Sequence, residues 1–120
     1  MLLLILLFVC HYLGDFTPLS NAWMQQAKQF GRPLFPILCH AAVHAFLMLI
    51  VLLFFIEPKI ALSLSLFQCL AHFSIDVLKG KMNGWFPILQ DASKKGYWMI
   101  FGFDQLLHQA TILTMVGYLN

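Results

Sequence analysis

Four long stretches of the chain are almost free of charged residues, and they cover residues 2–16, 33–56, 60–78 and 97–119. A helix that crosses a bilayer needs about 20 predominantly apolar residues. Hydrophobic residues make up 61% of the chain and charged residues 10%, whereas a soluble domain has about 25% charged residues. A small domain buries a lower share of its surface than a large one and could not hide this much apolar surface. We therefore expect an integral membrane protein.

The predicted fold class is all-α: a single domain over residues 1–120 that forms an integral membrane four-helix bundle. The connections at 17–32 and 79–96 are polar and contain tryptophans, which is typical of short interfacial helices. Ser20 or Asn21 is suited to cap the first of these helices. The link between the second and third spans, Glu57-Pro58-Lys59, is long enough only for a tight turn.

Basic residues predict the orientation, because cytoplasmic loops carry an excess of lysine and arginine. Six of the seven lie in the first and third connections: Lys28, Arg32, Lys79, Lys81, Lys94 and Lys95. The seventh, Lys59, lies in the middle connection beside Glu57. We expect a multi-pass protein with both termini on the non-cytoplasmic side and the lipid bilayer as its main partner. No basic run indicates a nucleic-acid partner, and a homo-oligomer is compatible with the pattern.

Each predicted span contains one pair of histidine or aspartate residues spaced i, i+4. The pairs are His11 with Asp15, His40 with His44, His72 with Asp76, and Asp104 with His108. This spacing places both side chains on one helix face, one turn apart. They include all five histidines and three of the five acidic residues. With the predicted topology all four pairs lie at a similar depth, near the cytoplasmic leaflet.

A divalent metal would offset the cost of burying these carboxylates, which is several kcal/mol for an unpaired charge. Imidazole and carboxylate ligands suit zinc, the first choice here, and also iron or manganese. Eight candidate ligands could hold two ions with a bridging aspartate. They could instead hold one ion with four or five ligands, with the remaining aspartates orienting histidine rings. Interhelical hydrogen bonding without metal is the structural alternative.

Three further residues accompany the pairs. Gln68 lies in line with His72 and Asp76 on one helix face and is placed to support the ligands. Gly14 would allow a close helix approach beside Asp15. Lys79 is expected at the cytoplasmic interface, where it reaches a lipid phosphate or extends toward water.

The paired elements resemble a family of small bacterial inner-membrane proteins, domain-of-unknown-function family 3307. The matching elements are His11 to Phe16 with Lys28 downstream, His40 to His44, His72 to Lys79, and Asp104 to His108. The resemblance implies a protein of the bacterial inner membrane and no established activity. There is also a looser similarity to membrane-bound metal-dependent hydrolases rich in histidine and aspartate, which is an analogy only.

The leading functional hypothesis is a metal-dependent membrane hydrolase that acts on a lipid-like or phosphate-bearing substrate. In this hypothesis Asp15 or Asp76 is the catalytic base that accepts a proton from water. The same ligands could serve an oxidative di-iron enzyme, but the lack of Glu-x-x-His elements favours this less. Proton or divalent-cation transport is the second hypothesis, and a scaffold or assembly subunit with a structural metal is the third.

Overall fold

Each of the four apolar stretches contains one helix, but the helix of the second stretch ends at Leu52 instead of the predicted residue 56, and residues 53–57 form the turn to the next helix. The computed structural model describes all 120 residues and contains no strand. Five α-helices follow in chain order: α1 (Leu2–Phe16), α2 (Ala22–Phe30), α3 (Leu34–Leu52), α4 (Pro58–Trp85) and α5 (Lys95–Leu119). One short 3-10 helix, Pro87–Gln90, connects α4 to α5. The all-α prediction is therefore confirmed, and α1 has the predicted bounds.

Two of the four long helices, α3 and α4, are long and apolar enough to cross a membrane. Helix α1 is apolar but has only 15 residues. Helix α5 has 25 residues, and Asp104, Gln105, His108 and Gln109 make its middle more polar than α3. Length and composition thus support two of the predicted spans, and the other two stay predictions.

Large apolar side chains cover much of the outer surface. In the most apolar 18-residue segment of α3, only 33% is buried inside the protein, and the share is the same in α4. Exposed examples are Phe35, Phe46, Leu62, Leu66, Leu70 and Leu106. Exposed apolar faces of this extent are typical of surfaces that contact lipid or another protein.

The first connection folds as predicted, with a helix that has defined ends. The side chain of Asn21 accepts a hydrogen bond from the Met24 amide and caps α2. Gly31 ends the helix in the left-handed conformation, with φ of 68°, which glycine adopts without steric cost. Helix α2 then lies across α3 and α4.

The third connection differs from the prediction, because α4 continues about two turns beyond residue 78, to Trp85. The added turns are polar but remain helical, and α2 packs on them. Gly80 is essential to this contact: a Cβ there would overlap the backbone of Gly31 and Lys28. Pro87, which cannot continue the hydrogen-bond pattern, follows just after the helix ends.

The interior has an apolar half and a polar half. The long helices contact one another in the cyclic order α1, α3, α4, α5. At one end they enclose the apolar cluster Leu7, Cys10, Met48, Leu52, Ala61, Leu64, Ile112 and Met115. Each helix passes from that cluster to its histidine or aspartate pair within one or two turns, so all four pairs reach the same layer.

Candidate metal centre

The i, i+4 spacing orients each pair inward. Within α1, His11 Nε2 lies 3.2 Å from Asp15 Oδ2. Within α4, His72 Nε2 lies 3.2 Å from Asp76 Oδ2. Within α5 the corresponding distance, from His108 Nε2 to Asp104 Oδ1, is 3.5 Å. The eight candidate residues therefore all lie in one cluster, as their predicted common depth required, and all five histidines are buried.

Asp15 joins α1 to α3. Its Oδ1 lies 2.9 Å from His40 Nε2 and 3.0 Å from His44 Nε2, within hydrogen-bond distance of both rings. The same oxygen is 3.9 Å from His72 Nε2 in α4. One carboxylate thus faces imidazoles from three helices.

Asp76, on α4, faces imidazoles from α5 and α3. Its Oδ1 lies 3.4 Å from His108 Nε2, and its Oδ2 lies 3.7 Å from His40 Nε2. Asp76 is 1% exposed, and neither of its oxygens has a hydrogen bond. An ionised carboxylate in this setting requires a cation.

Several inward-facing atoms that could bind a metal form no hydrogen bond, although they lie 3.2–3.5 Å from one another. Besides the Asp76 oxygens they are His72 Nε2, His108 Nε2 and Asp104 Oδ1. More than about 90% of buried polar groups in proteins are hydrogen-bonded. Unpartnered nitrogen and oxygen atoms that converge from separate helices fit a metal ion, which binds such lone pairs directly.

Three groups of residues have ligand atoms within 4.8 Å of one another. The first is Asp15, His40, His44 and His72; the second is His11, His72 and His108; the third is Asp76, Asp104 and His108. The groups share His72 and His108, so they form one continuous array. These groups contain all eight residues that the sequence predicted as ligands.

Other polar groups contact the outer nitrogens of two rings. Ser20 Oγ is 3.4 Å from His40 Nδ1, and the side-chain amide of Gln68 is 3.3 Å from His72 Nδ1. For Nε2 to bind metal, Nδ1 must keep its hydrogen and donate it; Ser20 Oγ can accept it from His40, and Gln68 can accept it from His72 once its amide is turned so that Oε1 faces the ring. The supporting position predicted for Gln68 agrees with this contact, whereas the contribution of Ser20 was not predicted.

Two lysines and one glutamine also belong to the site. Lys28 Nζ lies 3.6 Å from Asp15 Oδ1 and 3.5 Å from Asp76 Oδ2. Burial lowers the pKa of the Lys28 ammonium, but the carboxylates of Asp76 and Asp15 outweigh burial and hold the pKa above its ordinary value. Lys79 Nζ lies 3.5 Å from Asp104 Oδ2, and Gln105 Oε1 lies 3.1 Å from His11 Nε2.

Sequence reasoning did not assign these three residues to the site. Lys28 was noted only among the basic residues that predict the orientation and as part of the family resemblance, because it lies in a polar connection outside the predicted spans. Lys79 was expected at the interface, and its contact with the Asp104 carboxylate was not predicted. No local spacing indicated Gln105, which follows Asp104 on α5.

A cavity of about 430 Å³ reaches the cluster from the side of α2 and the third connection. Asp15, Asp76 and Asp104 form its inner end, and Lys28 and Lys79 also line it. The rest of the wall combines amide side chains with apolar and aromatic ones: Gln25, Gln29, Asn83, Gln90, Gln105, Phe16, Leu89, Tyr97, Ile100 and Phe101. A molecule that enters therefore meets carboxylates and ammonium groups before the imidazoles, none of which lines the cavity.

Fold and site together define an all-α protein with a buried histidine–aspartate cluster at the end of a polar cavity. The chain belongs to the family described as protein of unknown function (DUF3307), whose model matches residues 3–119. This confirms the family resemblance. Comparisons with curated proteins and with solved structures gave no match.

Proposed function

We propose that this protein is a metal-dependent hydrolase of the bacterial inner membrane, built on a four-helix transmembrane bundle. Its substrate is lipid-like or phosphate-bearing and reaches the site from the cytoplasmic leaflet. The observation that carries the proposal is the buried cluster of imidazole and carboxylate atoms, whose three carboxylates line the inner end of the cavity.

The histidines and at least one aspartate would hold zinc, or else iron or manganese, as one ion or two. When bound, such a metal supplies Lewis-acid chemistry: it polarises a phosphoryl oxygen and makes water more acidic. Asp15 and Asp76 both reach the cavity. Either carboxylate is therefore able to accept a proton from a water molecule there, as a general base must.

The cavity wall suits the proposed substrate. The ammonium groups of Lys28 and Lys79 favour an anionic group such as a phosphate. The apolar side chains of Phe16, Leu89 and Ile100 offer surface to an acyl or isoprenoid chain. A phosphate-bearing lipid combines these two chemical features.

Transport is less favoured, because a transport path needs polar groups across the whole bundle. Beyond the cluster the interior contains Leu7, Met48, Leu52, Ile112 and Met115, all of which are at most 1% exposed. This packed apolar half weighs against a polar route through one chain. A scaffold with a structural metal would have no need of the cavity beside the carboxylates.

Metal content of detergent-purified protein tests the proposal. The wild type is purified without chelators, and bound metals are measured by mass spectrometry beside His44→Ala and His72→Ala. Gln109→Ala is the control, because Gln109 follows His108 but is exposed. We expect metal in the wild type and control and its loss in both histidine variants. A metal-free wild type that takes up no zinc, iron or manganese would contradict the proposal.

Catalysis is tested on the metal-loaded protein with phosphatidic acid in mixed micelles. Phosphate release that depends on metal and is lost in Asp76→Asn supports the hydrolase. A protein that retains tightly bound metal but hydrolyses neither this lipid nor other phosphate-bearing lipids favours the structural alternative.

A further inference from the structure

The ammonium of Lys28 lies in the middle of the candidate metal centre. It is the only lysine or arginine group within 4.0 Å of both Asp15 and Asp76. Its Nζ is also 3.0 Å from His40 Nε2. All three partners belong to the groups that could hold a metal. A protein cation thus lies among atoms that the proposed function assigns to a metal ion.

The two cations need the same lone pairs. A neutral imidazole nitrogen has a single lone pair. When the hydrogen of its neutral ring is on Nδ1, His40 Nε2 can either accept a hydrogen bond from Lys28 or bind a metal, but it cannot do both. Zinc binds imidazole nitrogen at about 2.0–2.1 Å, which is on the side of the ring that Lys28 Nζ now faces. Two neighbouring cations in a buried site also repel each other strongly.

We propose that Lys28 is an internal counter-cation that competes with a divalent metal ion for His40, Asp15 and Asp76. Without metal, the ammonium balances part of the negative charge of the two carboxylates. Metal binding replaces the ammonium and releases the Lys28 side chain into the cavity. This inference depends on the proposed metal site and adds a cation exchange to it.

The surroundings of Lys28 permit the exchange. Its side chain lines the cavity of about 430 Å³, so a flexible four-carbon stem has adjoining space in which to turn. Its backbone is held where Gly31 and Gly80 let α2 approach α4 closely. Only the side chain has to move. Once released, the ammonium faces the space in which an anionic substrate group would lie.

Metal affinity of Lys28→Met tests the exchange. Dissociation constants for Zn²⁺ and Mn²⁺ are measured on the full chain in detergent by competition with a chromophoric chelator. We expect Lys28→Met to bind both ions about tenfold more tightly or better, because removing the competing unit charge is worth at least the free energy of a tenfold change. Lys81→Met is the control: it removes the same charge from an exposed position on α4 that does not line the cavity.

A second measurement uses the wild type and does not depend on the folding of a variant. The protein is treated with an amine-acetylating reagent, with and without Zn²⁺, and modification of each lysine is followed by mass spectrometry. We expect Zn²⁺ to raise the acetylation rate of Lys28 several-fold and to leave Lys81 unchanged. A Lys28 rate that falls or stays the same on zinc binding overturns the exchange.

The outcomes separate this inference from the proposed function. A wild type that binds metal while Lys28→Met binds it no more tightly overturns the exchange and leaves the metal site standing. If neither protein binds metal, both ideas fail. If only Lys28→Met binds metal, the competition is supported and the resident cation of the natural protein is the lysine, which contradicts the metal-dependent hydrolase.

Discussion

The imidazole of His44 lies directly against the backbone of Gly14. A Cβ built on Gly14 would overlap Cε1, Nε2 and Nδ1 of that ring. The absence of a side chain at residue 14 therefore lets α1 approach α3 closely enough for Asp15 to accept its hydrogen bond from His44. The sequence predicted a close helix approach at Gly14. In the structure this approach holds the His44 ring of the candidate metal centre in place.

Gly14→Ala should displace the His44 ring and weaken the site. Overpacking of a tight contact typically costs about 1–3 kcal/mol, and we expect a lower thermal midpoint in detergent with reduced zinc content. Gly102→Ala is a matched control, since a Cβ at that position on α5 meets nothing within 4 Å. Alanine is favoured over glycine in helices, so the control should be as stable as the wild type or more stable. Equal metal content in both variants would contradict the importance of this contact.

Asp15→Asn should reduce metal affinity by about 100-fold. Loss of a residue that hydrogen-bonds to a metal ligand typically costs about 10–100-fold in affinity. The amide has nearly the shape of the carboxylate but lacks the charge that faces His40, His44 and Lys28. Titration with Zn²⁺ measures the effect. Asp91→Asn is the control, because Asp91 is exposed and its side chain bonds only to Ser93. An Asp15→Asn variant with wild-type affinity would remove Asp15 from the ligand set.

Gln68→Leu should lower zinc affinity by about 10–100-fold while the helices remain folded. The substitution removes the amide next to His72 Nδ1 but keeps a side chain of similar length. Circular dichroism checks the helix content, and competition with a chelator measures affinity. Gln109→Leu, at an exposed position of α5, should have no effect. Equal affinities in the two variants would show that the Gln68 contact does not orient the ring.

The proposed orientation predicts which connections a membrane-impermeant maleimide labels in intact cells. In a variant with its three native cysteines (Cys10, Cys39 and Cys69) replaced by serine, Lys59→Cys should be labelled from outside. Lys94→Cys should be labelled only after the membrane is opened, because cytoplasmic loops hold the basic residues. Labelling of Lys94→Cys in intact cells, with Lys59→Cys protected, would reverse the topology and place the cavity on the other side.

Local rules in the sequence predicted where in the chain the helices lie and which residues form the candidate site. Apolar runs predicted α1 with its observed bounds, and Asn21 was one of two residues predicted to cap α2. The i, i+4 spacing determined which face each pair shares, because this relation depends only on helix geometry. Matched depth in alternating helices was then enough to predict that His11, His40, His72 and His108 meet.

Only the tertiary structure decided which atoms meet and what else joins them. Helix α4 continues to Trp85 because polar residues are compatible with a helix on which α2 packs, and hydropathy alone could not predict that end. Lys28 reaches Asp15 and Asp76 because Gly80 lets α2 lie close to α4, a relation between residues about 50 positions apart. How each helix is rotated and how closely two helices approach depend on packing across the interior. The spacing of residues along one helix does not predict that packing.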